Sequence, residues 1–165
     1  MTDAANRLAF GHPASLVATV FGAGLSPVAP GTVGSLVAVP AAWLIAATVG
    51  HGALLMATVV VFFVGWWAST VYTRRTGIAD PGAVVIDEVA GQWLVLAVAP
   101  LELWYYAAGF ALFRLFDITK PWPVSWADRR IKGGLGVMLD DILAGLYGAA
   151  ILLLLVWLVE NRLVL

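Results

Sequence analysis

Long apolar runs, broken by few charged residues, constrain this chain more than any other feature. Residues 33–49 and 53–71 form two such runs with His51-Gly52 between them, and the last run covers residues 142–159. A helix needs about 17 to 25 apolar residues to cross the hydrocarbon core of a bilayer. The chain is 62% hydrophobic and 12% charged, with a mean hydropathy of +0.94. The sequence therefore predicts an all-α polytopic membrane protein whose first two runs form a helical hairpin over residues 33–71.

A further apolar run, over residues 82–117, is too long for one helix, and Pro100-Leu101-Glu102 divides it. As a single tilted span, this run would divide the cations between the two sides of the membrane. As a second hairpin, it places eight of the nine Lys and Arg residues on one side and leaves only Arg162 opposite. Cytoplasmic loops are enriched in Lys and Arg, so the hairpin is favoured. We therefore predict about five transmembrane helices, with the N-terminus in the cytoplasm and the C-terminus outside.

The whole chain is predicted to form one integral membrane domain. Residues 1–32 are a poor signal peptide, because Arg7 and His12-Pro13 interrupt their apolar stretch. We predict instead an N-terminal interfacial or re-entrant segment that ends in a Gly- and Pro-rich loop. Residues 118–139 are predicted as a cytoplasmic loop and residues 140–159 as the last helix.

Composition excludes several functions. The chain has no cysteine, which rules out a disulfide, a cysteine nucleophile and a cysteine-ligated zinc. Two isolated histidines do not make a His-rich metal site or a phosphohistidine site. A net charge of −1 gives no basic surface for nucleic acid. The sequence does not specify an oligomeric state.

The acidic residues are distributed very unevenly under the hairpin topology. Seven of the ten converge at the cytoplasmic side, from three helix ends and the loop between two of them. Ionisable groups at or within a membrane are costly and are functional candidates by default. The seven are Asp80, Asp87, Glu88, Asp117, Asp128, Asp140 and Asp141.

Two adjacent pairs of acids stand in similar surroundings. Asp87-Glu88 and Asp140-Asp141 are each preceded by two apolar residues and followed by one or two apolar residues and then Ala-Gly. Gly91 and Gly145 would let the two helices approach closely. Close carboxylates repel one another unless a cation lies between them, and oxygen ligands without Cys or His suit Mg²⁺. The alternative is that the acids are helix N-caps, although an acid at a helix C-terminus, as expected for Asp117, is unfavourable.

Cations and glycines lie among these acids. Arg114 and Asp117 share a helix face, and Lys120 precedes a stiff Pro-Trp-Pro segment. Arg114 and Lys120 are candidates for binding phosphate, with membrane anchoring by the positive-inside rule as the alternative. The Gly- and Pro-rich stretch over residues 22–35 could cradle an anionic head group, although a plain turn with Thr32 as N-cap would need the same residue types.

Four segments in this order closely resemble the phosphatidylglycerophosphatase A family: GLSPVAPGTVGS, DPGAVVIDEVAGQW, FRLFDITKPWP and KGGLGVMLDDILAG. The resemblance covers residues 22–148. It implies a Mg²⁺-dependent lipid phosphatase of the bacterial inner (cytoplasmic) membrane, with its active site facing the cytoplasm. Such an enzyme removes the terminal phosphate of phosphatidylglycerophosphate by attack of water and leaves phosphatidylglycerol.

The resemblance also implies a set of site residues. The expected metal ligands are Asp87, Glu88, Asp117 and Asp141, with Asp140 as a further ligand or as the group that orients water. The expected substrate-binding residues are Arg114, Lys120, Gly31, Thr32, Ser35 and Asp80.

Two other functions use similar residues. A CDP-alcohol-type head-group transferase also has membrane-surface aspartates and Mg²⁺, but it spaces its aspartates at helical intervals after an Asp-Gly start. Here Asp140 and Asp141 are adjacent, and Asp128 is followed by Arg. A transporter with an acidic ion site would place its acids near the bilayer midplane rather than at one face.

Overall fold

The computed structural model describes residues 11–78 and 80–162, and the described residues form helices and no strand. The first ten residues, with Arg7 and most of the predicted interfacial segment, lie outside the described residues. The helices are α1 Pro13–Ala18, α2 Pro30–Thr48, α3 His51–Thr76, α4 Ile86–Leu96, α5 Leu103–Thr119, α6 Val124–Arg130 and α7 Gly134–Arg162, with a short 3₁₀ helix at Ala23–Leu25. The predicted all-α class is confirmed.

Three helices are long and apolar enough to cross a membrane: Pro30–Thr48, His51–Thr76 and Gly134–Asn161. Large apolar side chains such as Leu44, Phe63 and Leu154 are more than half exposed on them. A bilayer would cover such surfaces, so membrane association follows from the structure.

The prediction of five transmembrane helices is not confirmed. Helix α4 has 11 residues, so at ~1.5 Å per residue it is about 16 Å long, well short of the ~30 Å hydrocarbon core. Helix α5 has 17 residues. The two follow each other across the predicted Pro100 turn, but α4 is packed against α2, α3, α5 and α7. Other helices surround it, which explains why a short helix carries an apolar sequence.

The turn between α2 and α3 lies one residue before the predicted position. Gly50 has a φ of 102°, which favours glycine, and His51 already begins α3. The His51 imidazole is 2.8 Å from the Ala99 carbonyl oxygen, in the turn between α4 and α5. This contact joins the two turns at the end of the bundle where α4 terminates.

The segment predicted as a loop over residues 118–139 is largely helical. It contains α6, and α7 begins at Gly134 rather than at residue 140. Hydropathy misses these first turns because they pack on protein rather than lipid: a Cβ built on Gly134 would lie 2.7 Å from the Trp66 carbonyl oxygen of α3. As a result, Asp140 and Asp141 lie about two turns inside α7. The N-cap interpretation of this pair is therefore wrong.

Candidate active site

All seven acids that the sequence places on one side line a single cavity of about 480 Å³. The cavity lies where α2 and α7 begin and where α5 ends, and the loop before α4 lines it. Arg114, Lys120 and Lys132 line it as well. The predicted convergence of acids from several helix ends is therefore observed.

Three carboxylates from three helices form the centre of this cavity. Glu88 of α4, Asp117 of α5 and Asp141 of α7 each offer one oxygen, and the three oxygens lie within 4.8 Å of one another. Asp141 is 4% exposed and Glu88 is 8% exposed. Carboxylates so close and so poorly solvated need positive charge beside them.

Arg114 supplies part of that charge. Its Nη1 donates to Glu88 Oε2, and it lies 2.7 Å from Asp117 Oδ2, one turn further along α5. Ser35 Oγ of α2 donates to the same Glu88 oxygen at 2.7 Å. Arg114 and Ser35 therefore hold Glu88 from two helices and leave the cluster with a net negative charge.

Lys120 forms a second charged group beside the cluster. Its Nζ lies 2.6 Å from Asp128 Oδ1 and 2.7 Å from Asp140 Oδ2. Burial lowers the pKa of Lys120, but its hydrogen bonds and ion pairs with Asp128 and Asp140 outweigh burial and raise the pKa above the ordinary lysine value. Lys120 is therefore fully charged at neutral pH.

Two carboxylate oxygens in the cavity lack hydrogen-bond partners among the described residues. They are Asp140 Oδ1 and Asp141 Oδ2, and both are inaccessible to solvent. A buried oxygen without a donor is costly, and a bound cation would satisfy both oxygens. The donor set, three carboxylates with no Cys or His, fits a hard divalent cation.

Close contact between α4 and α7 makes this cluster geometrically possible. A Cβ built on Gly145 would lie 2.8 Å from the Gly91 carbonyl oxygen, and one built on Gly91 would lie 2.7 Å from the Asp141 carbonyl oxygen. Any larger residue at either position would push the helices apart. The predicted close approach at these two glycines is confirmed.

Only some of the other predicted site residues line the cavity. Asp80, Asp87 and Gly31 line the cavity, and a Cβ on Gly31 would collide with Glu88 Oε1. Asp87 lies outside the three-carboxylate group, and its Oδ1 instead accepts a hydrogen bond from the Glu88 backbone at 3.0 Å. Thr32 is partly buried on α2 and is not among the lining residues.

Asp128 received no separate role from the sequence, although it forms one of the two ion pairs of Lys120. The one sequence feature that pointed to Asp128 was its place among the seven convergent acids. Nothing in its local sequence indicates that it contacts a lysine eight positions earlier across the Pro-Trp-Pro segment.

Comparison with known proteins decides the family. The model of the phosphatidylglycerophosphatase A family matches residues 16–156, which include every residue of the cavity. This chain belongs to the phosphatidylglycerophosphatase A family. A phosphatidylglycerophosphatase A from Escherichia coli (strain K12) is 39% identical over 150 residues, covering 90% of this chain and 87% of the relative. One from Haemophilus influenzae is 38% identical over 141 residues, covering 85% and 86%.

A relative with a different name matches equally well. The putative phosphatidylinositol-3-phosphatase of Bacteroides thetaiotaomicron is 42% identical over 152 residues, covering 87% of this chain and 94% of the relative. All three names denote phosphatases that act on a phosphorylated phospholipid, and none denotes a head-group transferase or a transporter. No solved structure matches the chain.

Proposed function

We propose that this protein hydrolyses the terminal phosphomonoester of phosphatidylglycerophosphate to give phosphatidylglycerol and inorganic phosphate. The observation that carries the proposal is the cavity of this family member, where three carboxylates from three helices meet beside Arg114 and Lys120. A cavity with both signs of charge suits a phosphate and a cation together.

The cation is proposed to be Mg²⁺, held by Glu88, Asp117 and Asp141. Asp87 is the fourth carboxylate expected in this role, and its place on the cavity wall suits a ligand that acts through water. When bound, Mg²⁺ polarises the phosphoryl group and lowers the pKa of a coordinated water. The unpartnered Asp141 Oδ2 is the structural feature that supports this assignment best.

The chain's own residues would bind and orient the reactants. Arg114 and Lys120 bind the phosphate oxygens and stabilise the charge that develops on them during in-line attack. Asp140, fixed by Lys120 on the cavity wall, orients the attacking water. The water oxygen bonds to phosphorus and gives up one proton, while the bond from phosphorus to the glycerol oxygen breaks and that oxygen takes up one proton. One water is consumed, and phosphatidylglycerol and inorganic phosphate are released with no net change in protons.

Neighbouring residues are proposed to contact the head group. Gly31 keeps the start of α2 free of a side chain where the cavity meets Glu88. Ser35 orients Glu88, and Asp80 lies on the loop that lines the cavity, where it accepts a hydrogen bond from the glycerol hydroxyl. Thr32 stays a prediction on weaker ground, because it does not line the cavity.

The cavity is proposed to face the cytoplasm from a bacterial inner membrane. Lys and Arg residues gather at the cavity end of the bundle, in the last turn of α3, at the end of α5 and in and after α6. Helix α7 begins at the cavity and carries the chain to the opposite end, where Arg162 lies. By the positive-inside rule, the cation-rich end is cytoplasmic. In this arrangement α4 and α5 form the second hairpin of a five-segment topology.

Phosphate release in detergent tests the proposal. Purified protein should release inorganic phosphate from phosphatidylglycerophosphate in Mg²⁺ and stop in EDTA. Phosphatidylinositol 3-phosphate belongs in the same assay because of the Bacteroides relative, with phosphatidylglycerol as a substrate that has no phosphomonoester. Absence of release from phosphatidylglycerophosphate by folded protein would refute the proposed activity, and equal rates in Mg²⁺ and EDTA would refute the metal.

A further inference from the structure

Two carboxylates from two different helices hold Lys120 at the cavity wall. Lys120 Nζ donates to Asp128 Oδ1 at 2.6 Å and to Asp140 Oδ2 at 2.7 Å. Asp128 belongs to α6 and Asp140 to α7. The ammonium group is thus fixed from two directions.

One N–H of the Lys120 ammonium group remains available to a ligand. An ammonium group has three donors and no acceptor, and the two carboxylates use two of the donors. Lys120 lines the cavity that also contains the three-carboxylate cluster. With the first two donors fixed in space, the direction of the third is fixed as well.

The backbone N–H of Lys120 donates to the Phe116 carbonyl oxygen at 2.9 Å, so the freedom that other residues must remove is that of the side chain. Lys120 follows the last residue of α5 with a φ of 42°, a left-handed conformation that is unfavourable for lysine. A lysine side chain has four rotatable bonds and loses much rotamer freedom when it is ordered. Asp128, in contrast, lies on a helix anchored by the fully buried Val124 and Ala127.

We propose that Asp128 is a positioning residue, which holds Lys120 so that its third N–H meets an oxygen of the substrate phosphate. The inference rests on the proposed phosphate-binding role of Lys120. Asp140 alone would leave the ammonium free to pivot about one contact. Asp128 does not touch the substrate and acts only through Lys120.

The test measures phosphate affinity and turnover separately. Asp128→Ala should raise the KM for phosphatidylglycerophosphate and weaken the binding of inorganic phosphate about tenfold, the equivalent of one charge-assisted hydrogen bond. Asp128→Asn keeps an acceptor oxygen and should lose less. Glu160→Gln, an exposed acid-to-amide change on the last turns of α7, is the matched control and should behave as wild type.

A double variant separates positioning from a general effect on folding. In a Lys120→Met background, Asp128→Ala should cause no further loss of phosphate affinity, because the residue through which it acts is gone. Equal losses in both backgrounds would overturn the inference, as would unchanged KM and phosphate affinity in folded Asp128→Ala. Calorimetric titration with inorganic phosphate needs no turnover, so it decides the role of Asp128 even if the wild type does not hydrolyse phosphatidylglycerophosphate, a result that would refute only the proposed function.

Discussion

Changing Asp141 to asparagine separates a metal-binding role from a structural one. Asp141 lies inside α7, is 4% exposed, and has one oxygen without a partner among the described residues. Asparagine has nearly the same shape, and a capping role is excluded by the position in the helix. The substitution therefore removes one negative charge and changes little else.

The size of the effect follows from the distances in the cluster. The carboxylate oxygens lie no more than 4.8 Å apart, and two unit charges at that distance repel by about 3.5 kcal/mol at an effective dielectric constant of 20. Arg114 already offsets part of this repulsion through Glu88 and Asp117. Loss of the Asp141 charge should therefore stabilise the metal-free protein by about 1–2 kcal/mol, or raise its unfolding midpoint by about 2–8 °C.

Activity should change in the opposite direction. A cation that loses one of its carboxylate ligands binds more weakly and polarises the phosphoryl group less well. We expect the rate to fall by about two to four orders of magnitude, equivalent to about 3–5 kcal/mol of transition-state stabilisation. Raising the Mg²⁺ concentration should restore only part of the rate.

Two measurements on the same detergent preparation check the expected gain in stability and the expected loss of activity. Thermal unfolding is followed in EDTA and in Mg²⁺, and phosphate release is followed over a Mg²⁺ titration. Mg²⁺ should raise the unfolding midpoint of the wild type and have little effect on Asp141→Asn. Near-normal activity of the variant at low Mg²⁺, or a lower midpoint in EDTA, would refute the reasoning.

Three further predictions test other parts of the site. Arg114→Ala and Lys120→Ala should each slow turnover by about one to three orders of magnitude, and unchanged rates in both would contradict phosphate binding. Arg114→Ala should also lower the free energy of unfolding in EDTA, because two carboxylates lose their counter-charge. Gly91→Ala should destabilise the protein by about 1–3 kcal/mol by separating α4 from α7, whereas Gly52→Ala, which meets nothing within 4 Å, should be neutral or stabilising by thermal unfolding. A cysteine at Glu102 should react with an impermeant thiol reagent outside intact cells, and protection there would contradict the hairpin topology.

Hydropathy and charge predicted the elements of this fold well where lipid is the environment. The helical class and the three long spans could be predicted from the sequence. In lipid, each span must hydrogen-bond its own backbone N–H and C=O groups as a helix, and the long apolar runs that such a helix needs are visible in the sequence. The bounds of helix α4 and the start of α7 were harder to predict, since these segments pack on protein. An apolar sequence there reflects contact with other helices, which periodicity alone cannot distinguish from contact with lipid.

The sequence predicted which acids gather at one end of the bundle, but not which side chains pair with one another. Chain direction and the positive-inside rule were sufficient to bring seven acids to one end, because those constraints act on whole segments. They could not show that Arg114 lies between Glu88 and Asp117, or that Lys120 is shared by Asp128 and Asp140. Such contacts depend on the relative depth and rotation of helices that are distant in sequence.

The sequence by itself determined a helical membrane chain with an acidic end, since hydrophobic transfer and charge placement are properties of local segments. Tertiary structure decided which carboxylates meet. Gly91 and Gly145 permit α4 and α7 to touch, and this contact brings Glu88 and Asp141 to the distance at which one cation can serve both. Packing at those glycines is a property of two surfaces together, and neither sequence segment specifies it alone.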